Sequence, residues 1–268
     1  MTARKHAYLL PVIFLLVAGV PPARCFSETI KWEETKSRHF IISHVDQSTF
    51  AREVSEAAEK HYSTIADSLG IQRFNDYWLW DKRAKIYLYP DRQAYLKATK
   101  APRWSSGKAD YASRTIYSYG NSSGFINGLL PHELTHLLFR EFTKNEASVP
   151  LWIHEGIAQW HEKDKPPNNY ELRILSDNGL LTPLNKLNQL DIRKSKSHNQ
   201  ARKFYAQSYS LTSYLIDEYG MEKFKALCRA LRDGKKVEEA LLFTYSTSFS
   251  SIEEFEQGWL ESLKKDKK

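Results

Sequence analysis

The sequence predicts an α+β fold in which a small mixed sheet is followed by a mainly helical lobe. Three observations predict it. Short runs rich in β-branched and aromatic residues, at 39–44, 85–89 and 111–119, all fall in the first 120 residues. Beyond residue 130, apolar positions recur mostly at helical spacing. Between the two regions lies an apolar segment, residues 130–138, whose two histidines are four positions apart and so share one helix face. A chain of 268 residues with 41% hydrophobic and 26% charged residues can bury a substantial core, as one large domain or two closely packed lobes.

The elements follow in order. Arg4, Lys5 and His6 precede an apolar run at residues 7–20, and Pro21, Pro22, Ala23, Arg24 and Cys25 follow it. This is the pattern of a secretion signal, so residues 1–25 are expected to be a signal peptide cleaved between Ala23 and Phe26. Fourteen apolar residues fall short of the about 20 that span a bilayer, and no stable membrane span is expected in the mature chain. An uncleaved N-terminal anchor is the alternative. Cleavage leaves Cys228 alone, which excludes an internal disulfide. Residues 26–38 read as a polar lead-in, 39–44 as a strand, and 47–69 as a helix ending at Gly70. A strand at 85–89 stops at Pro90, and Asp91 caps a short helix to residue 99. The run 111–119 reads as one strand. Residues 163–169 form a polar, Pro-rich break, and 191–199 read as an exposed polar stretch. Helices are expected at about 170–177, 201–219, 221–232, 237–244 and 251–264, with a basic tail at 264–268. The formal charge of +7 is scattered and no nucleic-acid-binding motif is present, so no nucleic-acid partner is expected.

The chemistry is concentrated at His132, Glu133 and His136, a His-Glu-x-x-His motif. Two imidazoles one helical turn apart can hold one zinc ion together, and Glu133 beside the first can act as general base toward a water molecule. Pro131 fits only near a helix start, which puts both histidines in the first turns. Eighteen residues beyond His136 comes Glu155, on a second helical pattern opened by Pro150. A glutamate completes a His/His/Glu set, a known catalytic zinc combination. Gly156 lacks a side chain and can let this helix approach the motif helix. His154 is turned about 100° from Glu155 and reads as a neighbour, and His161 as a surface residue. Glu162 and Asp217 are candidates for the carboxylate that orients a ligating imidazole.

This motif, its spacing to Glu155, and the Gly156, Ile157 and Ala158 that follow resemble the gluzincin metallopeptidases. Residues from about 39 to 262 are similar to the peptidase MA-like domain proteins in particular, which makes residues 39–263 the expected metallopeptidase domain. The resemblance implies a gluzincin-type zincin fold with the motif helix between lobes, and one Zn2+ held by His132, His136 and Glu155 with Glu133 as catalytic base. It implies a peptide or protein substrate, with Tyr205 or Tyr209 from the helical lobe holding the developing oxyanion, Tyr205 being favoured. It also implies that residues 115–119 form the cleft-edge strand that pairs with an extended substrate; an ordinary edge strand is the alternative. The Gly-x-Met-x-Asn signature of the aminopeptidase-N-like branch is absent, since Met occurs only at 1 and 221. The expectation is therefore a secreted or periplasmic zinc endopeptidase. The alternative is a non-catalytic zinc-containing binding or scaffolding protein on the same fold.

Overall fold

The computed structural model describes residues 31–71, 78–103, 105–120, 122, 124–144, 149–163 and 170–264. The expected signal peptide with its cleavage site, nearly all of the Pro-rich break, and tail residues 265–268 lie outside these. Among the described residues a five-stranded sheet runs in the order β1-β2-β3-β5-β4: β1 Glu33–Lys36, β2 Phe40–His44, β3 Ala84–Tyr89, β4 Lys108–Asp110 and β5 Thr115–Tyr119. The central strands β2, β3 and β5 are parallel; β1 and β4 pair antiparallel at the two edges. The sheet is thus mixed and N-terminal, and the described residues beyond it are mainly helical.

Alternation within the strands explains which face is buried. Phe40, Ile42, Ile86, Leu88 and Ile116 point to one side and are fully buried. They pack against α1, Ser48–Leu69, whose Ala51, Val54, Ala58, Ile65 and Leu69 repeat at helical spacing. Gly70, at φ 72°, takes the left-handed conformation that ends this helix. α2, Arg92–Thr99, lies beside β3 and β5 and is capped by Asp91, whose side chain accepts from the Ala94 amide. A π-helical turn, Phe125–Leu129, leads into α3, Leu130–Phe142. α3 is buried almost all round, which marks it as the central helix between the sheet layer and the helical lobe. That lobe consists of α4 Leu151–His161, α5 Tyr170–Asp177, α6 Leu184–Leu187, α7 His198–Tyr219, α8 Met221–Arg232, α9 Val237–Thr244 and α10 Ile252–Lys264.

Four expectations need correction. The polar lead-in contains β1, an edge strand whose side chains are mostly exposed; its pairing is carried by backbone groups and needs no apolar pattern. The run 111–119 is not one strand, because residues 111–114 turn the chain between β4 and β5. Consequently β5 is flanked by β3 and β4 and is no edge; on that side the edge is β4. Finally, the polar stretch 191–199 holds a 3-10 turn, Ile192–Lys194, with Ile192 buried, and α7 already starts at His198. Among the described residues no helix is long and apolar enough to cross a membrane.

Candidate metal centre

α3 places His132 and His136 on one face, one turn apart, and their Nε2 atoms lie 3.1 Å from each other. α4 brings Glu155 to them: its Oε2 is 3.6 Å from His132 Nε2 and 3.4 Å from His136 Nε2. All three side chains are buried, and the group can hold a metal ion. Three donors around a tetrahedral zinc, each about 2.0–2.1 Å from it, lie roughly 3.3 Å apart, which is the size of this triangle. A second observation supports the fit. Glu155 Oε2 and both carboxylate oxygens of Glu133 are buried without a hydrogen-bond partner among the described residues. Buried acceptors are normally satisfied; a cation among the three donors would satisfy Glu155 Oε2 and offset the charge on Glu133.

Neighbouring groups fix the ligands. Glu162, just past the end of α4, sets Oε1 2.6 Å from His132 Nδ1. A carboxylate there holds the tautomer that leaves the Nε2 lone pair toward the other two donors. Gln159 Nε2 donates to the Glu155 carbonyl at 3.2 Å and to the Tyr205 carbonyl at 3.0 Å, so it ties α4 to α7 behind the site. A Cβ on Gly156 would collide with Thr212 Oγ1 and the backbone of Ser208, both on α7. The missing side chain therefore serves the α4–α7 crossing, and not an approach to α3. His154 packs its ring against Phe139 at 4.9 Å. Burial and the charges of His136 and Arg140 push it down to about 3, so it stays neutral beside the donors. His161 is no surface residue: it is half-buried, with Nδ1 against the Ile157 carbonyl and Nε2 2.8 Å from Ser68 Oγ of α1.

The electrostatics follow from burial and these contacts. Burial pushes the Glu133 carboxyl up to about 8; charge on His132 opposes this, and Glu155 and Glu162 add to the rise. For Glu155 burial acts in the same direction, but His136 and His132 outweigh it and hold the carboxylate below its usual range. Burial pulls His132 down, yet Glu155 and Glu162 outweigh it and raise the imidazole well above its ordinary value. His136 is lowered, chiefly by burial.

Two phenols border the group. Tyr205, on α7, is 4% exposed, and burial and then Glu155 and Glu133 raise its pKa well above the phenol range. Tyr209, one turn on, is half-buried. Tyr111, in the turn between β4 and β5, approaches His136 edge-on at 6.2 Å between ring centres, and the Arg140 guanidinium lies 4.5 Å from the Tyr111 ring centre. Sequence reasoning missed Tyr111 because it sits in a run that reads as strand.

A family model described as the Peptidase MA superfamily matches residues 79–264, more than half of the chain. The chain belongs to the peptidase MA superfamily. The matched span includes both motif helices and most of the helical lobe, so the three donors of this peptidase MA member all lie within it. The "Uncharacterized protein YhcO" of Bacillus subtilis (strain 168) is 26% identical over 143 residues. That match covers 52% of this chain and 41% of the relative, so it spans about two-fifths of the relative's length.

Proposed function

We propose that the protein is an exported zinc-dependent metallopeptidase of gluzincin type, acting as an endopeptidase. The observation that carries this reading is the buried triangle of His132, His136 and Glu155 with the unpartnered Glu133 carboxylate on the same helix. When bound, zinc polarises the scissile carbonyl and acidifies a water molecule. The chain's own residues do the rest. His132, His136 and Glu155 hold the cation, and Glu162 keeps His132 oriented. Glu133 takes a proton from the attacking water on a carboxylate oxygen and passes it to the nitrogen of the leaving amine. A buried carboxyl beside the donors, with no hydrogen-bond partner among the described residues, is placed for both transfers. Tyr205 stays protonated and donates to the substrate oxygen as negative charge develops on it. Since β5 lies inside the sheet, the outer edge of β4 is the backbone available to pair with an extended peptide. Export rests on the apolar run at residues 7–20 with its flanking charges.

The test is metal analysis and peptide cleavage on the wild type, Glu133→Gln and His136→Ala. About one zinc per chain is expected in the first two and near none in the third. Cleavage of a mixed peptide library should fall roughly 10²–10⁴-fold in Glu133→Gln. Wild-type protein that is folded and supplied with zinc but binds none overturns the reading. Zinc binding with a Glu133→Gln rate equal to wild type overturns the catalytic part.

A further inference from the structure

Trp80 is 79% exposed, the most exposed of the large hydrophobic side chains among the described residues. Its backbone is in the left-handed region at φ 58°, a conformation that costs energy for a bulky residue. Trp78 is also left-handed, at φ 64°, but is fully buried, and its indole nitrogen donates to Glu141 Oε2 at 2.5 Å. The strained segment therefore sends one indole into the core and the next one outward.

Cationic residues cluster in the segments that meet at this turn. Trp80 opens the 3-10 turn Trp80–Lys82. Arg83 Nε donates to the Arg38 carbonyl at 3.2 Å, and an Arg114 guanidinium nitrogen donates to the Lys82 carbonyl at 2.9 Å. The Lys85 amide donates to the Arg114 carbonyl at 2.9 Å. These bonds bring Arg38, Lys82, Arg83, Lys85 and Arg114 to one corner of the sheet. Arg38, Lys82 and Lys85 are exposed and the other two partly so. Among the described acids nearby, Glu141 is shared by Trp78 and Arg114, and Asp110 accepts from the Ala112 amide and the Ser113 hydroxyl, which leaves Asp81 beside Arg38, Lys82, Arg83 and Lys85.

We propose that this corner is a docking surface for an anionic lipid bilayer, with Trp80 entering the headgroup layer and the exposed Arg38, Lys82 and Lys85 facing lipid phosphates. Charge complementarity selects an anionic partner. The projecting indole selects a bilayer among such partners, because Trp is stable where one end of the ring is apolar and the other wet. The docking does not depend on the peptidase reading, but it bears on it. The turn that carries Arg114 to the corner also carries Tyr111 to His136. Docking therefore holds the candidate site near the bilayer, where membrane-proximal segments of other proteins are within reach.

The experiment is sedimentation of the mature protein, recovered from the producing cell, with vesicles of phosphatidylcholine alone or with about one-third phosphatidylglycerol, at low and high salt. Wild type is expected to pellet with the anionic vesicles and not with phosphatidylcholine, and to be released by about 0.5 M salt. Trp80→Ala should weaken pelleting roughly tenfold or more, and Arg38→Gln/Lys82→Gln roughly 25-fold. Unchanged melting temperature and metal content in both variants confirm that the fold is intact. No pelleting of wild type with anionic vesicles overturns the proposal, as does a folded Trp80→Ala variant that pellets like wild type. Retention on an acidic polypeptide or on DNA without vesicle binding overturns the lipid assignment in favour of that partner.

Discussion

Glu162 Oε1 sits 2.6 Å from His132 Nδ1, so the ring that offers Nε2 to the candidate metal is gripped from its other side by a carboxylate. The grip comes from the residue where α4 ends, on the same helix that supplies Glu155. One helix thus delivers one candidate ligand and the group that orients another. Glu162→Ala is expected to lower metal affinity by roughly 10–100-fold without unfolding the protein. Glu162→Gln should lose less, since an amide oxygen can still accept from Nδ1. Competition with a chelator of known affinity measures this. Equal affinities for all three proteins would show that the contact has no bearing on the metal.

Gly156 stands where α4 crosses α7. A methyl group there meets Thr212 Oγ1 and the Ser208 carbonyl. The first obstacle is a side chain that substitution can remove, but the second is backbone. Gly156→Ala is therefore expected to destabilise the protein by about 1–3 kcal/mol and to weaken metal binding by displacing Glu155. Adding Thr212→Ala should restore little. Thermal unfolding of the single and double variants tests this, and full rescue by the double variant would contradict the assigned backbone clash.

What the sequence could reveal here depended on whether the signal was local. His132 and His136 were legible because a fixed four-residue spacing and a helix bring them together, and Glu155 because it lies on a second recognisable helix. Glu162 was visible only as one of two carboxylate candidates, since its contact with His132 spans thirty residues. Asp217, the other candidate, is exposed on the last turn of α7. β1 and β4 were missed as strands because edge strands pair through backbone and keep polar side chains. Missing β4 made β5 look like an edge. Gly156 was correctly read as a point of close approach, but its partner helix was assigned wrongly; spacing shows that a helix face is bare and not what covers it. Tyr111 reaches His136 only through the chain reversal at 111–114, which has no glycine or proline to announce it.

Tyr205 and Tyr209 are separable by experiment. The Tyr205 pKa is raised by burial and by Glu155 and Glu133, so its phenol lies within their electrostatic reach and remains a donor. If it holds the oxyanion, Tyr205→Phe should reduce kcat by about 10²–10³-fold with metal content and KM little changed. Tyr209→Phe should leave kcat within a few-fold of wild type. The reverse ranking would move the role one turn along α7, and two inert variants would point to Tyr111.

Glu133 makes the metal-free protein pH-sensitive in a direction that can be worked out. Its pKa is raised from 4.5 in the unfolded chain to about 8 in the folded one, first by burial. The folded state therefore binds more protons than the unfolded state between these values, and stability falls as pH rises through the window. The contribution is fully present below about pH 4.5 and is lost above about pH 8. Glu133→Gln removes the titrating group and keeps the shape. With metal chelated, the variant should match wild type near pH 4.5, gain on it steadily toward pH 8, and then hold a constant advantage of up to a few kcal/mol. His132, His136 and Glu155 titrate in both proteins, so to first order the difference between the two curves isolates position 133. Urea unfolding from pH 4.5 to 9 measures that difference. Parallel curves would mean that the carboxyl finds a partner or water that the fold does not display, and the assigned rise of its pKa would have to be abandoned.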